Sequence, residues 1–371
     1  MKYYLIAGEA SGDLHGSNLI KELKNIDASL NIRCWGGDLM QQSGATLIKH
    51  YRELAFMGFA EVLMNLRTIF KNLAFCKEDI KQFEPDVLVL IDYPGFNLRI
   101  AEWAKQQGIK VVYYISPQVW AWKENRVKKM KQCIDKMLVI LPFEKDYYKN
   151  KWNWEVEYVG HPLVEVIETY KLNNTFSAND KNTQPIIALL PGSRKQEILK
   201  KLPIMLEVSK SFPQYQFVVA QAPGQEDEFY RSMLQPYANV SSVKNDTYHL
   251  LLRSTAALVT SGTATLETAL FGVPEVVCYK GSSISYQIAK RLLTIKYISL
   301  VNLIMNKFVV KELIQNELTV ENLQRELSLI LTDEKRIAEI KNDYAALKKL
   351  LSEGGDASAK AAKSIYDFVT L

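Results

Sequence analysis

Cysteine, histidine and long apolar runs are all scarce in this sequence, and each shortage excludes something. Four cysteines occur in 371 residues. They stand at Cys34, Cys76, Cys133 and Cys278, too far apart for a CxxC pair or a disulfide framework. They are expected as reduced, buried thiols in a cytosolic protein. The four histidines, His15, His50, His161 and His249, are equally scattered. With no HExxH and no clustered acidic set, no protein-held catalytic metal is expected. The longest apolar runs, Val87 to Ile91 and Met137 to Phe143, are too short to span a bilayer. The first residues lack the basic start, apolar stretch and cleavage site of a signal peptide and read as a strand. Charge of one sign is also in short supply. Lys plus Arg number 46 against 41 Asp plus Glu, a net +5, which does not mark a nucleic-acid binder. At 48% hydrophobic and 23% charged, the composition excludes disorder and collagen.

What is there is strand–helix alternation, twice. Tyr3 to Ala7, Ile32 to Trp35, Val87 to Ile91, Val111 to Ile115 and Lys136 to Leu141 read as strands. Helical patterns at Leu14 to Lys24, Phe59 to Phe83 and Arg99 to Gln107 separate them. Val87 to Ile91 is apolar throughout, as a parallel strand buried on both faces must be. Lys171 to Gln184 is polar and reads as a linker. The alternation restarts with strands at Ile186 to Leu190, Gln216 to Ala220, Ala256 to Thr260 and Glu275 to Tyr279. After Thr319 the chain is helical, broken at Gly354-Gly355. The expected fold class is α/β, with two doubly wound domains, 1–168 and 169–345, and a helical tail, 346–371. That tail either crosses back onto the first domain or exchanges between the protomers of a homodimer. Ligands of open α/β sheets bind beyond the carboxyl ends of the strands, so motifs just after strands matter most, and the natural site is a cleft between the domains.

Five segments sit there. Gly8 to Asp13 follows the first strand. Its glycines at 8, 12 and 16 do not match the dinucleotide fingerprint, and it reads equally as a capped turn or an anion site. Asp92 directly follows the apolar strand. It is either a cap or, where desolvation raises its pKa, a general base. Ser116 to Trp122 leads into Lys123, Arg126, Lys128, Lys129, Lys131 and Lys136, where the basic excess concentrates. That segment is either a solvated helix face or a phosphate contact. Leu190 to Arg194 brings backbone N–H groups, Ser193 and a guanidinium together in a geometry suited to a diphosphate; a plain helix cap is the alternative. Ser261 to Glu267 repeats the strand-to-helix turn, and Glu267 could accept bonds from ribose hydroxyls. Two phosphate-type turns mark the second half as the nucleotide domain.

Taken in order with Val159 to Leu163, these segments resemble the lipid-A-disaccharide synthases over nearly the whole chain. The resemblance implies the GT-B architecture of two facing Rossmann-like domains around an interdomain cleft. It implies an inverting glycosyltransferase of lipid A and lipopolysaccharide biosynthesis. Its donor would be UDP-linked 2,3-diacylglucosamine and its acceptor 2,3-diacylglucosamine 1-phosphate, with UDP leaving. Asp92 matches the family's essential aspartate and would be the base, with Glu9 and Ser11 beside it. Asp13, Asn97, Gln118 and Trp120 would line the acceptor side. Ser193, Arg194, Gly262, Thr263, Ala264 and Glu267 would hold UDP. Asn302 matches a family asparagine near the cleft, and Val301 stands where the family commonly has proline. The UDP-sugar is a substrate, so no cofactor is implied.

Acylated substrates imply a membrane. Val62, Leu63, Leu66, Ile69, Phe70 and Leu73 fall at helical spacing with cations among them. They are either a core stripe or a patch seated peripherally on the cytoplasmic face of the inner membrane. The Lys123–Lys136 segment would then meet anionic lipids or the acceptor phosphate. The rival readings are a UDP-N-acetylglucosamine 2-epimerase, a murein-type transferase, or a non-catalytic nucleic-acid or membrane binder.

Overall fold

Runs of valine, isoleucine and leucine without polar alternation form parallel strands sandwiched between helices. The structure is a computed structural model that describes residues 1–54, 66–121, 123–174, 184–222, 224–282, 286 and 296–371. The chain divides into two units, Met1–Pro162 with Leu351–Leu371, and Leu163–Leu350.

The first unit alternates β1 (Lys2–Ala7), α1 (Ala10–Ile26), β2 (Asn31–Gly36), α2 (Asp38–Gln42), β3 (Thr46–His50), α3 (Leu66–Phe83) and β4 (Val87–Ile91). It continues with α4 (Pro94–Gln106), β5 (Lys110–Tyr114), α5 (Arg126–Cys133), β6 (Lys136–Val139), α6 (Pro142–Trp152) and β7 (Glu157–Tyr158). Its strand order is β3-β2-β1-β4-β5-β6-β7, with every pairing parallel. Neighbouring residues of β1 face opposite ways and both sides are dry. Tyr4 and Ile6 join a core with Trp35, Leu88 and Leu90. Tyr3, Leu5 and Ala7 join another with Leu19, Val89 and Ile91. Each such large apolar side chain contributes about 1.5–3 kcal/mol.

The second unit runs α7 (Pro162–Asn173), β8 (Ile186–Leu190), α8 (Lys195–Ser209), β9 (Gln216–Gln221), α9 (Asp227–Leu234), β10 (Val240–Lys244), α10 (Thr247–Arg253) and β11 (Ser254–Thr260). Then come α11 (Thr263–Phe271), β12 (Glu275–Tyr279), α12 (Leu300–Met305), β13 (Lys311–Ile314), α13 (Val320–Thr332) and α14 (Glu334–Ser352). The strand order is β10-β9-β8-β11-β12-β13, again all parallel.

α15 (Ala357–Thr370) returns to the first unit. Asp356 caps it by accepting the Ala359 N–H at 2.9 Å, and Ala361, Ala362 and Ile365 complete the core that holds Leu19 and Tyr3. The outgoing and returning chains cross closely. A Cβ on Gly354 would lie 2.3 Å from the Gly160 nitrogen, so only glycine fits there.

Several boundaries differ from the sequence expectation. α1 begins at Ala10, so Ser11 and Asp13 lie in a helix rather than a turn. α4 begins at Pro94, placing Asn97 inside it; proline at a first helical position is pre-set for that. Residues 175–183, within the expected linker, lie outside the described residues.

Candidate functional site

Both sheets reverse their strand order at one place, between β1 and β4 in the first unit and between β8 and β11 in the second. Loops leaving such a pair diverge and open a crevice. The segments Gly8 to Asp13, Asp92 to Asn97, Leu190 to Arg194 and Ser261 to Glu267 each leave one of these four strands, whereas Ser116 to Trp122 follows β5 and Val159 to Leu163 follows β7.

In the first unit Asp92 stands one residue beyond β4. Asp92 and Tyr93 are both left-handed, at φ +45° and +49°, and Ile115, at the adjoining end of β5, is left-handed at +67°. That conformation is rare for a β-branched residue, so strain gathers around Asp92. The Asp92 backbone is pinned from three sides. Its N–H donates to the Tyr114 carbonyl at 3.1 Å. Its carbonyl accepts from Tyr113 Oη at 2.5 Å and Asn97 Nδ2 at 2.8 Å. Burial pushes the Asp92 carboxyl up to about 6, and nearby Glu9 adds to the rise. Glu9 is the exposed residue ahead of α1, and Ser11 is exposed in its first turn. Gly8 is required by close approach, since any Cβ there would sit 2.3 Å from the Tyr93 ring.

Beside Asp92, Trp120 donates from Nε1 to Glu144 Oε1 at 3.2 Å. Oε2 of Glu144 accepts the Leu141 N–H at 3.0 Å. Glu144 is buried, which pushes its carboxyl up to about 8; its hydrogen bonds pull the other way, and Asp92 adds a smaller upward push.

In the second unit a pocket of about 330 Å³ opens between the ends of β8 and β11, lined among others by Ser193, Glu197, Thr260, Gly262, Thr263 and Glu267. Gly262 precedes α11 with φ +151°. The helix thus starts with its N–H groups uncovered by a side-chain cap, a ready anion site. Glu267 accepts from Tyr248 Oη at 3.0 Å, and burial raises its carboxyl. Thr260 and Gln221 also line this pocket; Thr260 Oγ1 and Gln221 Oε1 are buried and have no hydrogen-bond partner among the described residues. A pocket of about 370 Å³ elsewhere in the unit lies against Ile186, Gln216 and Leu250, near the starts of the strands and away from these loops. Position therefore favours the smaller one.

A family model described as lipid-A-disaccharide synthetase matches residues 3–366. The chain belongs to that family. The lipid-A-disaccharide synthase of Geobacter metallireducens is 37% identical over 95% of this chain and 93% of its own. That of Coxiella burnetii is 37% identical over 98% of both. Among solved structures, a UDP-GlcNAc 2-epimerase from Neisseria meningitidis superposes with TM-score 0.68 at 14% identity over 100% of both chains. The glycosyltransferase of kitacinnamycin superposes with TM-score 0.69 at 13% identity over 99% of both. These two show the fold alone. As a member of the lipid-A-disaccharide synthetase family the chain is a glycosyltransferase of lipid A biosynthesis, and neither an epimerase nor a bare binding protein is favoured.

Within this family member several expected ligand contacts turn out to be internal. Asp13 is buried, and its carboxylate accepts the N–H groups of Gly37, Leu39 and Met40 at 2.7–3.2 Å. It caps α2 instead of facing an acceptor. Asn97 is fully buried and ties the ends of β1 and β4 together through Ile6, Ile91 and Asp92 carbonyls, so it positions Asp92. Asn302 is fully buried too. Its amide donates to Val310 O and Glu312 Oε1 and accepts from the N–H groups of Val309 and Val310. That leaves little for a substrate. Val301 beside it is buried in α12. Gln118 is exposed and Trp120 half-buried; Trp122 lies outside the described residues.

The helical stripe also divides. Leu73 is buried in the core with Cys76 and Ile80, and Ile69 packs against them, while Phe70 stays 60% exposed. Val62 and Leu63, and the side chain of Leu66, lie outside the described residues. In the basic segment Lys129 pairs with Glu102, Lys136 with Glu157, and Lys131 bonds the Trp152 and Asn153 carbonyls. At least three of its six cations thus have partners within the chain. Sequence reasoning missed Glu144 altogether. The only local signal was its place as the third residue of a helix opened by proline.

Proposed function

We propose that the chain transfers a 2,3-diacylglucosamine unit from its UDP derivative to 2,3-diacylglucosamine 1-phosphate with inversion, Asp92 serving as general base. The Asp92 carboxylate takes the proton of the acceptor 6-hydroxyl as that oxygen attacks the anomeric carbon. The bond to the diphosphate breaks, and UDP leaves with its electron pair. Inversion in one displacement needs a single base and no enzyme nucleophile. UDP is a good leaving group, so the remaining task is to stabilise negative charge on its diphosphate. Arg194, Ser193 and the uncovered N–H groups at Gly262, Thr263 and Ala264 suit that task, and Glu267 suits the ribose. The reaction needs no resident cofactor.

The observation that carries this reading is the setting of Asp92, with a backbone locked on three sides and a carboxyl raised by burial toward neutral pH. A UDP-release assay with the two acylated substrates in detergent tests it. Asp92→Asn is expected to lower turnover by about 10²–10⁴-fold with UDP affinity kept. Loss of both would assign Asp92 to the fold. Among the described residues no helix is long and apolar enough to cross a membrane. We place the chain on the cytoplasmic membrane surface because its substrates are acylated, and exposed Phe70 supports that seat. Phe70→Ser should lower binding to anionic vesicles with thermal stability unchanged.

A further inference from the structure

We infer that Lys201 is a positioning residue for the diphosphate turn, acting through Glu197 to keep Arg194 available. This rests on reading that turn as the UDP site.

Lys201 lies in α8 two turns beyond Arg194, and its side chain is 2% exposed. Its Nζ lies 3.7 Å from Glu197 Oε2, while Glu197 Oε1 takes Arg194 at 3.3 Å. One carboxylate is therefore shared between an exposed guanidinium and a buried ammonium. Both Glu197 Oε2 and Lys201 Nζ crowd the underside of Gly192, 2.9 and 3.5 Å from where its Cβ would stand. The ammonium thus lies directly beneath the turn.

Burying an ammonium is unfavourable, and an apolar side chain of similar volume would serve packing as well or better. Burial pulls the Lys201 pKa down, and only Glu197 and the Cys278 thiol push it back. A packing role leaves the charge unexplained, whereas the site accounts for it. Arg194 and Glu197 alone sum to zero, and the carboxylate would compete with phosphate for the guanidinium. With Lys201 the cluster carries a net positive charge. When a diphosphate arrives, Arg194 turns from Glu197 to the ligand, and Lys201 holds the carboxylate back so that it does not repel the phosphate oxygens.

The test is UDP titration calorimetry on the full chain, with unfolding temperature measured in parallel. Lys201→Met should weaken UDP binding on the order of tenfold. Adding Glu197→Gln should restore it to within about threefold of the parent, because no unpaired carboxylate remains. Lys201→Gln keeps most of the volume and removes the charge, and serves the same comparison if the methionine variant does not fold. Unchanged affinity in the Lys201 variants overturns the inference. So does a double variant no better than the single, which would assign Lys201 to packing. A parent chain that does not bind UDP sinks the nucleotide reading instead, and that result is visible before any variant is made.

Discussion

At Asp92 the protein fixes the backbone and leaves the carboxylate to chemistry. Because burial and Glu9 raise its pKa to about 6, the base is in its active, ionised form only above that value. The expected kcat/KM profile climbs with pH through about 6 and then levels. A limb near pH 4 would show that the carboxyl is not desolvated in the working enzyme. Glu144 behaves differently. Its folded pKa, about 8, lies above the ordinary 4.5. The stability it contributes is whole below pH 4.5 and drains away as pH rises through 8, by on the order of a few kcal/mol. Glu144→Gln should flatten that part of the stability–pH curve measured by chemical denaturation. Asp92 was legible in the sequence because it abruptly ends an all-apolar strand. The duties of Asp13 and Asn97 were not, because their partners lie as far as 27 and 91 residues away in the chain and no local pattern records them.

Central strands were readable as elements. β4 and β8 fall where unbroken apolar runs put them, since burial on both faces leaves no polar alternation. β3, β10 and β13 carry lysines among few apolar residues. They lie toward or at the sheet edges, where one-sided exposure weakens the signal. The stripe on α3 shows the same limit. Helical spacing names a face but not its neighbour, and Ile69, Leu73, Cys76 and Ile80 give theirs to the core. The segment between α12 and β13 was opaque, because Asn302 organises it by bonds to a backbone that composition does not describe. Asn302→Ala removes four buried hydrogen bonds, each worth about 0.5–1.5 kcal/mol. A loss of about 2–6 kcal/mol in unfolding free energy is expected; an unchanged value would return Asn302 to the ligand.

Across the whole molecule one six-strand order occurs twice, β7 being an addition to the first sheet, and in each unit two motif loops leave the central pair of neighbouring strands. The alternation of strands and helices foretold two α/β domains, though not their strand order, because each strand–helix pair buries its apolar side only by stacking on the next. The path of the tail needed the structure, since alanine-rich α15 could pack on many surfaces. Deleting residues 354–371 should uncover Leu19, Ile20 and Leu23. Hydrogen exchange would then quicken in β1 and α1, while β8 and β11 keep their protection. Equal loss in both units would mean that α15 stabilises more than the core it joins.

On the ribosome that path becomes a matter of timing. α15 leaves the exit tunnel roughly 200 residues after Pro162, about 10–40 s later at ordinary synthesis rates. The second unit can close in that interval. The first must wait with one side of its sheet unfinished, so the half made first is the last to be sealed, and that interval is when a chaperone would find it.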